Sequence, residues 1–137
     1  MRLTQQLVSH PVVLAPLALA VLAACAGGGV AGGGAGFDGT YTLREIVGVP
    51  IAGTADLTIA GQAVSGQGPC NLYHTTNRAD WPAVDLAPIA TTRRACLIEG
   101  GEAAFLAALA QVTRADPVKG GLELAGPARR MIFDAAR

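Results

Sequence analysis

The spacing of hydrophobic and polar positions changes along the chain. From Val12 to Ala24 the side chains are apolar throughout, with no charge. Residues 26–36, "AGGGVAGGGAG", carry no pattern of either period. From Phe37 on, alternation takes over. Tyr41 and Leu43 alternate with Thr42 and Arg44, which predicts a strand with one wet face. "ADLTIAGQAVSG" predicts a hairpin, with Leu57 and Ile59 on one face, a turn at Gly61-Gln62 and Val64 on the return strand. "GPCNLYHTTNRADWP" has turn formers at both ends and predicts irregular chain. "AVDLAPIA" predicts a short strand, broken or placed at an edge because Pro88 cannot donate to a ladder.

Between Glu99 and Val112 the period becomes helical. Phe105, Leu106, Leu109 and Val112 form one stripe, and a start near Gly101 or Glu102 puts Glu102 in the first turn, where the helix dipole favours an acid. "VTRADPV", "LELAG" and "ARRMIFDA" then predict further short strands, separated by turns at "KGG" and "GP". Several short antiparallel strands with one amphipathic helix predict an α+β domain, a small antiparallel β-barrel or curled sheet plugged by the helix.

The first 36 residues read differently. Arg2 and the amino terminus supply the only positive charge before the apolar run, and that run falls short of the ~20 residues a spanning helix needs. A short apolar run behind a weakly basic start, ending in small residues, reads as a secretory signal. Its last four residues, "LAAC" from Leu22 to Cys25, resemble the bacterial lipobox. The resemblance implies cleavage before Cys25, with lipid attachment at Cys25 through a diacylglycerol on its sulfur and an acylated new amino terminus. Residues 1–24 are then the signal peptide. Residues 25–36 are a lipidated glycine-rich tether of span roughly 17–20 Å, and residues 37–137 are the folded domain. Ala26 stands where an aspartate would suggest inner-membrane retention, so the expected location is the outer membrane, facing the periplasm.

Charge narrows the partners. Of ten Lys and Arg, Arg2 leaves with the signal, so nine basic side chains face ten acidic ones. A nearly neutral chain lacks the basic field that nucleic-acid binding needs. The expected partners are a membrane, through the amino-terminal lipid, and an envelope protein or a small hydrophobic ligand.

The chain has three cysteines. With Cys25 taken by lipid, Cys70 and Cys96 remain in an oxidising compartment, where thiols pair. The alternatives are a metal site, a nucleophile and free thiols. Zinc wants four ligands, and only Cys70, Cys96 and His74 are near, without Cys-x-x-Cys spacing. A cysteine nucleophile needs a base, and His74 follows Cys70 by only four residues.

"VSGQGPCNLY" followed by "IATTRRACLIEGGEAAFLAAL" resembles the META domain, the module of HslJ-type heat-shock lipoproteins. The matching positions are Val64, Ser65, Gly66, Cys70, Asn71, Thr92, Arg93, Ala95, Cys96, Glu102, Phe105 and Leu106. The resemblance covers residues 39–134. Pro69, Arg94 and Tyr41 depart from the family's usual residues. The resemblance implies a small antiparallel barrel with a helix and a role in envelope stress, with no catalytic mechanism and no cofactor.

Other candidates have plainer readings beside them. Asn71 could face a ligand, but an asparagine beside a turn ordinarily bonds its own backbone. Arg93 and Arg94 could grip an anionic group, or face water, or pair with Glu99 and Glu102. Trp81 and Tyr73 could line a recognition patch, or Trp81 could lie as a lid over the core. Asp80 and Asp85 could form an acid pair, but solvated loop carboxylates are commoner. The favoured function is a non-catalytic envelope module that binds or stabilises envelope components under stress. The alternative is a lipocalin-like carrier, which needs a cavity. A hydrolase comes third, for want of a base and nucleophile together.

Overall fold

The structure is a computed structural model that describes residues 36–97 and 99–137. The signal segment, Cys25 and nearly all of the tether lie outside the described residues. No helix among the described residues is long and apolar enough to cross a membrane.

Among the described residues, eight antiparallel strands and one helix follow in the order β1 (Gly39–Ile46), β2 (Asp56–Ala60), β3 (Ala63–Gln67), β4 (Leu72–Thr76), β5 (Ala90–Thr91), α1 (Gly101–Leu109), β6 (Arg114–Val118), β7 (Gly121–Ala125) and β8 (Arg130–Ala135). They make one sheet in the order β5-β4-β3-β2-β1-β8-β7-β6. Two local meanders, β1–β5 and β6–β8, are joined by the pairing of β1 with β8. In β1 a register shift between Leu43 and Glu45 restores the inward phase, so that Tyr41 and Ile46 are both buried.

The sheet curls but does not close into a barrel. Its two edges, β5 and β6, are linked instead by the loop after β4, where Ala115 N donates to Pro82 O at 2.9 Å and Val84 N to Thr113 O at 2.9 Å. Proline marks both edges. Pro117 takes the next outward-facing position of β6, where it offers no N–H. Pro88 precedes β5, and of the expected strand over "AVDLAPIA" only Ala90–Thr91 forms, at the edge, beside isolated bridges from Ala83 to Arg114 and from Leu86 to Asn77.

The stretch expected to be irregular contains a strand. β4 buries Tyr73 and Thr75 and exposes Leu72, His74 and Thr76. Its inward hydroxyls donate to backbone, Tyr73 Oη to Asp56 O and Thr75 Oγ1 to Ala87 O, both at 2.7 Å, so burial there needs no purely apolar side chain.

The core joins inward residues of every long strand to α1, and its buried members run from Tyr41 to Phe133. The helix begins at Gly101 and ends at Leu109, a little short of the expected Val112. Phe105 and Leu109 are buried, Val112 is buried just beyond the helix, and Leu106 is only partly covered. The Phe105 ring meets Tyr73 at 5.3 Å between centroids.

The β3–β4 hairpin defines two ends of the domain. At one end Ala63 faces Thr76, and at the other Gln67 faces Leu72. Phe37 and Asp38 lie at the first end, where Asp38 accepts from Gly61 N at 2.8 Å and Phe37 stacks on Trp81 at 5.1 Å. The loop carrying Cys70 lies at the second.

Candidate functional site

Three segments converge at the second end: the β3–β4 loop, the chain leading from β5 to α1, and the first turn of α1. A disulfide joins the first two. Cys70 and Cys96 are bonded at 2.06 Å between sulfurs and 5.5 Å between Cα atoms, across a sequence separation of 26. With both sulfurs in the bond, neither cysteine is available as nucleophile or ligand.

Asn71 is the buried polar residue at this junction. Its Oδ1 accepts from Thr92 Oγ1 at 2.8 Å and from Arg94 N at 2.7 Å, while Nδ2 lies 3.6 Å from Cys96 Sγ. Thr92 completes the tie, because its N donates to Leu72 O at 3.0 Å and its Oγ1 accepts from Leu72 N at 3.2 Å. The expectation that Asn71 bonds its own backbone is thus corrected. The disulfide brings the 92–96 segment close enough for a partner across the loop pair to replace the local one.

Glu102 ties in the helix. Its Oε2 accepts from Cys70 N at 2.9 Å and Asn71 N at 3.3 Å, and its Oε1 is buried without a partner. A side chain at Gly68 would come within 2.7 Å of that carboxylate. Gly66 has even less room, since a Cβ there would lie 2.3 Å from Asp56 O. These two glycines are required by close approach rather than by an unusual backbone angle.

The remaining motif positions divide between core and surface. Val64 is buried in the core. Ser65 is half-buried and stands opposite Thr58 and His74. Arg93 and Arg94 are exposed, and neither makes an ion pair among the described residues, so of the two plainer readings they face water and do not pair with Glu99 or Glu102. Trp81 is at the other end of the domain, where it donates to Gly61 O at 2.9 Å and stacks on Phe37, as a lid does. Asp85 pairs with Arg78 at 2.6 Å on the surface. Tyr73 is held well above the ordinary tyrosine pKa, first by burial and then by the carboxylate of Asp56. Among the described residues no group of three His, Cys, Asp or Glu side chains could hold a metal.

One buried residue escaped the sequence reading. Asn77 closes β4 at its other end. It accepts from Asp85 N at 2.8 Å and Ala79 N at 3.2 Å, and donates to Ala83 O at 3.0 Å. The Asn-x-Ala spacing of a local turn was the only sequence signal for it.

Among the described residues the core encloses little space. Leu57, Ile59, Val64, Val84, Leu109 and their neighbours enclose about 10 Å³, room for about one water. A small-molecule pocket measures roughly 300–1,000 Å³. Larger hollows lie on the surface, such as the groove of about 320 Å³ between α1 and the β7–β8 turn.

No curated protein matches the sequence. A solved structure, "NMR structure of the protein from Burkholderia xenovorans", is similar in fold, with a TM-score of 0.58 and 24% identity over 72% of this chain and 82% of that one. The family model of the META domain matches residues 35–137. That match takes in the whole curled sheet, its helix and its disulfide, and the chain belongs to the META domain family.

Proposed function

We propose that the protein is a non-catalytic envelope lipoprotein, anchored through Cys25 to the periplasmic face of the outer membrane, whose META domain binds or stabilises envelope components under stress. The observation that carries this reading is the Cys70–Cys96 disulfide. Such a bond persists in oxidising compartments. It also leaves Cys25 as the one remaining cysteine, at the end of a signal-type run and within a lipobox-like sequence. The filled interior argues against a lipocalin-like carrier. The disulfide takes Cys70 and Cys96 out of use as nucleophiles, which weakens the hydrolase reading.

Crosslinking in intact cells, followed by mass spectrometry of captured partners, tests the reading. A dominant envelope protein recovered with the wild-type chain supports it. An extracted small hydrophobic ligand, or turnover by the purified domain, overturns it. The anchor is tested separately: Cys25→Ser releases a soluble or unprocessed form, and unchanged membrane fractionation of that variant counts against lipidation.

A further inference from the structure

We propose that the disulfide end of the domain makes a membrane contact of its own, in which Arg93 and Arg94 hold phosphates of an anionic bilayer and Leu97 enters its acyl boundary. Leu97 is 98% exposed and Leu72, bonded through its backbone to Thr92, is 53% exposed. Both arginines are exposed, with no ion pair among the described residues. The acid nearest in sequence on the helix, Glu102, is turned inward onto Cys70 and Asn71, which leaves Glu99 as the exposed acid of residues 92–100.

The form of this surface selects the occupant. Leu97 projects from the fold instead of lining a groove. A projecting apolar side chain fits a protein only if that protein has a matching pocket, but a fluid acyl layer takes it without one. Guanidinium groups match phosphate geometry with two hydrogen bonds. The segment that carries both arginines is fixed to the β3–β4 loop by the disulfide and by Asn71, and Leu97 directly follows Cys96, so little ordering of the arginine segment remains to oppose binding. This end lies opposite Phe37, where the domain leaves its amino-terminal segment, so the contact is distinct from an acyl anchor at Cys25.

The test uses a processed-length chain, residues 25–137, made unacylated by Cys25→Ser. It contains every residue of the core, which runs from Phe37 to Phe133. Co-sedimentation is measured with vesicles of phosphatidylglycerol and phosphatidylethanolamine, and with phosphatidylcholine alone. Binding is expected only with the anionic vesicles, and inorganic phosphate at matched ionic strength is expected not to displace it. Each basic residue near such a surface strengthens binding about fivefold, so Arg93→Gln with Arg94→Gln weakens it about 30-fold. Leu97→Ser weakens it about tenfold or more, and Glu99→Gln strengthens it. Melting curves of the variants should match the parent. Absence of binding to anionic vesicles, or binding that ignores these substitutions, overturns the proposal. Acylation of Cys25, read from the mass of the native protein, stands or falls independently.

Discussion

Glu102 Oε2 stands 2.9 Å from Cys70 N, so the first turn of α1 is fastened to the loop that carries the disulfide. The carboxylate reaches two amides that have no strand to bond with, and it does so from a helix start that lacks a side-chain cap. Replacing Glu102 with Ala leaves both part-buried amides without this partner, at a cost of roughly 1–3 kcal/mol. Hydrogen exchange at Cys70 and Asn71 should accelerate in this variant while exchange in β7 and β8 changes little.

The disulfide closes a loop of sequence separation 26, which corresponds to roughly 3.5 kcal/mol of stabilisation on the chain-entropy account. Cys70→Ser, or reduction of the wild type, should lower the melting temperature by more than about 10 °C for a domain of this size. Equal melting of the oxidised parent and the variant would sink that assignment.

Asn71 and Asn77 sit just before and just after β4, and each holds a loop by its side-chain amide. Asn71→Ala and Asn77→Ala should each destabilise by about 1 kcal/mol or more, because each leaves part-buried backbone groups without their partner. The two losses should add, since the sites share no partner. Denaturant titration of the single and double variants checks this.

Gly66→Ala should be the harsher of two glycine substitutions in the β3–β4 hairpin. Its Cβ would meet the fixed backbone carbonyl of Asp56, whereas that of Gly68→Ala meets a movable carboxylate. Forcing β2 and β3 apart costs roughly 1–3 kcal/mol or more. A smaller loss for Gly66→Ala than for Gly68→Ala would contradict the described packing.

Both tyrosines of the chain have pKa values raised by burial first and by a neighbouring carboxylate second, Asp38 for Tyr41 and Asp56 for Tyr73. Below the ordinary value near 10 both the folded and unfolded chains keep these protons, and their contribution to stability is fully present. As pH rises above that value the unfolded chain ionises first, so stability falls until the folded values are reached. Urea titrations at increasing alkaline pH should show this decline, and phenolate absorbance should appear together with unfolding.

What the sequence disclosed followed from how each element satisfies burial. β2, β7 and β8 bury Leu, Ile, Met and Phe at alternate positions, so period two was plain there. β4 buries Tyr73 and Thr75, whose hydroxyls bond to carbonyls of other segments, and such partners are invisible until the chain is folded. The helix start was readable from Gly101 and Glu102, but the task of Glu102 was not, because its partners lie 31 and 32 residues earlier. The pairing of Cys70 with Cys96 followed from the expected oxidising compartment. Asn71 broke the local turn rule and Asn77 kept it, and only tertiary contacts separate the two.

The union of β1 with β8 has a consequence for how such a chain must be made. One partner is the first strand of the domain and the other its last. A polypeptide made amino end first therefore holds one flank of its opening strand bare until Arg130–Ala135 has been made. A chain stopped short of Arg130 would keep that flank open to other strands or to proteases.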